Sequence, residues 1–273
     1  MSQDLRRPGS GSVAPPGRSS PPWWLIFKQE SSEMWASGRV LRFLTLYAIL
    51  MSVTAYLLAT NNDLKLVTMK ASVVVAVTST ITFGLFIGLV IGAESISGER
   101  ERATLEPLLL TPTGHRQIVL GKFLAALSAW PAAFLVSVPY VATLSHGDPV
   151  VWTALFWGAL LGSLLAVAFV GFGMLVSIWS DSSRISLFVC LLVYAGLLIP
   201  AQLPTEFLNS SGGVLVSAID PLESASQLLT KVVDEGRSLG EAWVYFVAPA
   251  VMTAIITGVL FLYSAPRVRL AAE

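Results

Sequence analysis

Charge is what this sequence has least of. Asp, Glu, Lys and Arg make up 12% of its 273 residues, about half of the share usual in soluble domains. The deficit is uneven, because long charge-free runs alternate with short charged ones, the pattern of a chain that crosses lipid. Cysteine appears once, at Cys190 inside an apolar run. No internal disulfide can form, and a small packed or lipid-facing side chain is the expected role. The two histidines, His115 and His146, lie in separate loops, which removes a His/Cys metal constellation. Lys and Arg number 17 and so do Asp and Glu, so no overall field favours nucleic acid as a partner. No G-x-x-x-x-G-K-[ST] phosphate loop occurs, so the chain is not expected to hydrolyse ATP itself.

What is present is mostly apolar: 54% hydrophobic residues and a mean hydropathy of +0.71. Six runs emerge, Val40–Thr60, Ala71–Ala93, Phe123–Ser145, Val150–Trp179, Ile185–Ala201 and Trp243–Ala265. Each is near the ~20 residues a helix needs to cross a bilayer. The fourth is long enough to tilt, and the fifth is short and ends against Pro200 and Pro204. The expected fold class is therefore all-α, a polytopic membrane protein with six transmembrane helices. Beyond Arg42 at the margin of the first run, none contains Asp, Glu, Lys, Arg or His. Proton relays and coupling-ion sites need such groups, so an energy source should act from outside the bilayer.

Orientation follows from the cations. With the N-terminus cytoplasmic, only Lys65, Lys70, Lys231 and Arg237 fall outside, and the other thirteen of the 17 fall inside. Both termini and the charged segment 94–122 are then cytoplasmic. Residues 1–22, rich in Pro, Gly and Ser, are expected to be a disordered cytoplasmic tail, and 266–273 a second, short one. Between the first tail and the six-helix transmembrane domain at 40–265, residues 23–39 read as an interfacial amphipathic helix. Trp24, Phe27, Met34 and Trp35 alternate there with Lys28, Glu30 and Glu33, as suits a helix lying at headgroup level.

Small residues recur at helical spacing inside the spans. Gly84, Gly88 and Gly92 form one stripe, and Gly158, Gly162 and Ala166 another. Such stripes let helix backbones approach closely. Pro131, Pro139 and Pro249 each remove a backbone hydrogen bond and are expected to bend their helices. The hydroxyls of Thr78, Ser79, Thr80 and Thr82 are expected to bond to their own helix. In the outer loop 202–242, Asp220 reads as an N-cap, Pro221 as the first helical residue and Gly236 as the stop. Leu222, Ala225, Leu228, Leu229, Val232 and Val233 give that outer helix one apolar face.

The densest mixture of signs lies between the second and third runs. Glu94, Glu99, Glu101 and Glu106 alternate with Arg100, Arg102, Arg116 and Lys122. Thr104 can cap a short helix over Leu105–Leu110 that tolerates Pro107 in its first turn and ends at Thr111-Pro112. Leu105, Leu108 and Leu109 would project from it, and an exposed apolar cluster of this kind marks a contact surface.

These residues resemble the cytoplasmic loop signature of the ABC type-2 transporter permeases. The match runs through Glu94, Gly98-Glu99-Arg100-Glu101, Thr104-Leu105-Glu106, Leu108-Leu109, Thr111-Pro112 and Gly121-Lys122. The six-span layout extends it over nearly the whole chain apart from the N-terminal tail. Ala103 stands where the family usually has Gly, and Pro107 falls within its helical run. The resemblance implies a coupling helix between spans two and three that seats in a cleft of a separate ABC ATPase subunit. Glu94, Gly98, Glu99, Arg100, Glu101, Thr104, Leu105, Glu106, Leu108 and Leu109 would carry that coupling. It further implies two ATPase subunits per complex and a second permease subunit, identical or related. ATP and Mg would bind the ATPases and no cofactor this chain, which would sit in the plasma (bacterial inner) membrane and export an unidentified substrate. The alternative is a membrane scaffold that recruits a soluble partner through the 94–122 loop without transport.

Overall fold

The computed structural model describes residues 21–60, 68–102, 114–200 and 219–264, and every regular element among them is helical. The expected tail, the capped helix at 105–110, the first part of the outer loop and the last residues lie outside the described residues. Helix α1 covers Pro22–Ala36 and α2 Arg39–Thr60. Gly38, at φ +69°, makes the bend between them, a conformation that costs glycine nothing. Helix α3 covers Met69–Glu94 and leads through a turn at Ser95 and Ile96 into the short α4, Ser97–Glu101. Then follow α5 (His115–Leu127), α6 (Ala129–Leu144), α7 (Val150–Trp179) and α8 (Ser183–Leu198). On the far side α9 (Pro221–Leu229) runs into a π-helical turn, Thr230–Asp234, before α10 (Leu239–Ala242) and α11 (Val244–Gly258), itself prolonged by the π-helical Val259–Ser264.

Five stretches are long and apolar enough to cross a membrane: Arg39–Thr60, Met69–Glu101, His115–Leu144, Val150–Trp179 and Val244–Leu262. The sixth apolar helix, α8, has 16 residues, or ~24 Å at 1.5 Å per residue, slightly less than a hydrocarbon core of ~30 Å. This is an all-α polytopic membrane protein. The third crossing differs from its expected form. It begins at His115, well before Phe123, and divides at Ser128 into α5 and α6. Pro131 explains the division, because it has no N–H for the Leu127 carbonyl four residues earlier. Pro139 and Pro249 sit inside helices that continue on both sides.

Helices α3 and α7 form the centre, and their contact is the most extensive among the described elements. Lipid tails are as apolar as leucine, so this contact must come from close fit rather than from water expulsion. The glycines supply it. A Cβ on Gly92 would stand 2.6 Å from the Val170 carbonyl oxygen, and one on Gly173 2.6 Å from that of Leu89. A Cβ on Gly88 would meet Val170, one on Gly158 would meet Val77, and those on Gly84 and Gly162 would enter the Trp130 ring. The indole of α6 thus fills the hollow the two helices leave, with its N–H donated to Ser163 Oγ at 3.1 Å. Helices α2 and α11 stand at the margin with exposed Leu41, Ile49, Val53 and Leu57 on one and Val244, Val251 and Ile255 on the other. The hydroxyls of Thr80 and Thr82 donate to the carbonyls of Ala76 and Thr78, both at 2.9 Å.

Helix α9 is capped as its sequence indicates. Asp220 accepts from the N–H of Leu222 at 2.8 Å and of Glu223 at 3.2 Å. Leu222, Ala225, Leu228 and Leu229 are buried against α3, α7 and α11. Beyond the π-helical turn, Gly236 adopts φ +65°. Thr68, at the start of α3, donates to Asp234 Oδ1 at 3.1 Å.

Candidate functional site

The charged segment enters the described structure as Glu94–Arg102, at the end of the bundle where α1, α3, α4, α5, α7 and α8 meet. The bonding starts with serine. The N–H groups of Ile96 and Ser97 donate to Ser177 Oγ of α7 at 3.0 and 2.8 Å, and the Ser177 hydroxyl is 3.1 Å from Ser97 Oγ. Ser186 of α8 donates to the Ala93 carbonyl at 2.8 Å. All of these groups are buried. The turn between α3 and α4 is therefore fixed to two other helices through groups that a helix end leaves without intrahelical partners.

Arg100 and Glu101 extend the same arrangement with charge. Helix α7 ends at Trp179 and α8 begins at Ser183, so a negative helix end lies beside a positive one. Arg100 donates to the carbonyl of Ser180 at 2.6 Å and of Ile178 at 3.3 Å, with Asp181 at 3.6 Å. Glu101 accepts from the Ser182 hydroxyl at 2.7 Å and the Ser183 N–H at 2.9 Å.

On the other flank, Lys122 of α5 is 2% exposed. Its ammonium donates to Glu30 Oε1 of α1 at 2.5 Å and to Glu99 Oε1 of α4. A buried cation is tolerated only when it is paired, and here three separate elements share the pairing. Helix α1 approaches α5 closely at Gly121, where a Cβ would stand 2.7 Å from Ile26 Cγ2 and 2.9 Å from the Trp23 carbonyl oxygen. Arg39 lies 3.8 Å from Glu94. A polar cavity of about 160 Å³ opens between these groups, lined by Glu30, Arg39, Glu94, Glu99, Arg102 and Lys122 among others.

The sequence-derived coupling residues therefore fall into two sets. Glu94, Gly98, Glu99, Arg100 and Glu101 come together here, and a Cβ on Gly98 would meet only Glu94 and Ser183, at 3.9 and 4.0 Å. Thr104, Leu105, Glu106, Leu108 and Leu109 lie outside the described residues. Sequence reasoning placed Lys122 in the loop signature but not its partners, and did not single out Glu30, Ser177 or Ser182–Ser186 as members of the site. The available signal was Lys122 itself, a cation at the edge of an apolar run, which in a membrane protein calls for a named partner. Among the described residues no group of His, Cys, Asp and Glu is arranged to hold a metal ion.

Residues 24–265 match the family model described as ABC-2 family transporter protein. Among curated proteins no match is found.

Proposed function

The chain belongs to the ABC-2 transporter family, and we propose that it is the permease half of an ATP-driven exporter whose ATPase is a separate subunit. A permease-type membrane component of an ABC transporter has to convert movement of soluble ATPases into movement of helices. The observation that carries the finer reading is the fixation of Glu94–Glu101 to α1, α5, α7 and α8. A loop that merely joined two spans would not need a buried ion-paired lysine and charged contacts on two helix ends.

In this reading ATP and Mg bind the partner, and this chain binds neither. Two ATPases sit beneath two permease subunits, identical or related. Both termini and the 94–122 loop face the cytoplasm across the plasma (bacterial inner) membrane. Leu105, Leu108 and Leu109 enter the ATPase cleft, and ATP-driven closure displaces the loop as a rigid body. Apolar anchors at the centre of an interface often carry ~2 kcal/mol or more each. Replacing all three leucines with serine is therefore expected to leave the chain inserted but abolish co-purification of a co-expressed phosphate-loop ATPase. A triple variant that still retained the ATPase would contradict this reading and favour the scaffold.

A further inference from the structure

We propose that Arg100 and Glu101 are positioning residues that transmit movement of the 94–122 loop to α8, rather than residues that grip the ATPase. The inference rests on the proposed function and names the route by which it acts. Both side chains are engaged within the chain, Arg100 largely buried and Glu101 at the surface. Arg100 occupies the carbonyl end of α7 and Glu101 the N–H end of α8. Opposite charges on adjacent residues thus meet opposite helix ends on either side of a three-residue connection, Ser180–Ser182. Two grips on neighbouring helix ends fix rotation as well as distance, which one would not.

The two helices held in this way differ in freedom. Helix α7 is locked to α3 by glycine contacts in which backbone meets backbone, and such contacts cannot slide without separating. Helix α8 packs chiefly against α3 and α7 along one side and leaves Ile185, Phe188, Leu191 and Leu192 exposed. No described element of the chain packs on that face to oppose a tilt. Its end nearest the charged segment is tied to the α3–α4 turn by Ser186 on the Ala93 carbonyl and by Glu101 on Ser182 and Ser183. A displacement of α4 therefore pulls on α8 more readily than on α7, with Arg100 keeping the pivot at the end of α7 in place.

The test uses the complex of the full chain with its ATPase. Spin labels are placed on cysteines replacing Leu41 and Phe188, both exposed, in a Cys190→Ala background, and their separation is measured without nucleotide and with ATP and vanadate. The parent is expected to show a nucleotide-dependent shift. Arg100→Gln and Glu101→Ala are expected to lose most of it while the ATPase still co-purifies and hydrolyses ATP. Glu101→Gln keeps an oxygen for Ser182 and Ser183 and is expected to retain the shift. Glu101 is exposed, so its truncation threatens the fold little and decides the matter even if Arg100→Gln misfolds. An unchanged shift in Glu101→Ala overturns the inference. Loss of the ATPase from that variant also overturns it, by making Glu101 a docking residue, and leaves the functional reading in place. A parent chain that binds no ATPase overturns the functional reading and the inference with it.

Discussion

Lys122 shows how one residue can define a site. Its ammonium is enclosed by carboxylates from α1 and α4, elements brought to it from 92 and 23 residues away. Removing the cation alone leaves two partly buried carboxylates facing each other, and breaking such a pair costs on the order of 3–5 kcal/mol. Lys122→Met is therefore expected to lower the thermal unfolding temperature of the detergent-solubilised chain markedly. Adding Glu30→Gln and Glu99→Gln should restore much of the loss, because no charge is then left unpaired. Failure of the triple variant to recover would show that the lysine acts through something other than this pairing. The glycines allow an equally sharp comparison. Gly92→Ala drives a Cβ against the backbone of α7, and overpacking of this kind costs about 1–3 kcal/mol. Gly196 has nothing within 4 Å of its Cβ position among the described residues, and an alanine there should be neutral or stabilising by up to ~1 kcal/mol through helix propensity. Equal stability of the two variants, measured by the same thermal scan, would contradict the packing described for α3 and α7.

Among the elements, α9 depends on its cap. Asp220→Ala removes the acceptor for two N–H groups and is expected to cost about 0.5–2 kcal/mol, seen as faster amide hydrogen exchange in α9 with α3 unaffected. Burial raises the Asp220 carboxyl from its ordinary value, against the N–H groups of Glu223 and Leu222. Asp220→Asn keeps the acceptor and discards the charge that burial opposes, so it should protect α9 at least as well as the native residue. Faster exchange in the Asn variant would show that charge rather than geometry sustains the cap. This helix was legible because its signals are local: Asp220, Pro221 and the apolar face lie within a few turns. Helix α7, Val150–Trp179, was legible to the residue because lipid excludes charge from so long a run. The third crossing was not. Lys122 set its expected start, since an unpaired cation is costly in hydrocarbon, whereas partners far away in sequence allow the helix to begin at His115. The run Glu99–Arg102 resisted reading for the same reason, because exposed helix ends belonging to α7 and α8 cannot be located by counting along the chain.

At the scale of the whole molecule, the proposed topology rests on the distribution of cations. Ser238 and Arg116 are exposed at opposite ends of the bundle. In a Cys190→Ala background, a cysteine replacing Ser238 is expected to react with a membrane-impermeant maleimide in intact cells, and one replacing Arg116 only after the cells are opened. The reverse pattern would invert the orientation and place the charged segment outside, away from any ATPase. In the proposed function this side of the bundle matters because the 94–122 loop meets an ATPase directly there. That contact is tested by photo-crosslinking in native membranes from a benzophenone amino acid replacing Leu108, with the same probe at Phe188 on the exposed face of α8 as the control. An adduct to a phosphate-loop ATPase is expected from position 108, and no adduct to an ATPase from position 188. An adduct from 108 to a soluble protein without a phosphate loop, or no protein adduct at all, would contradict it.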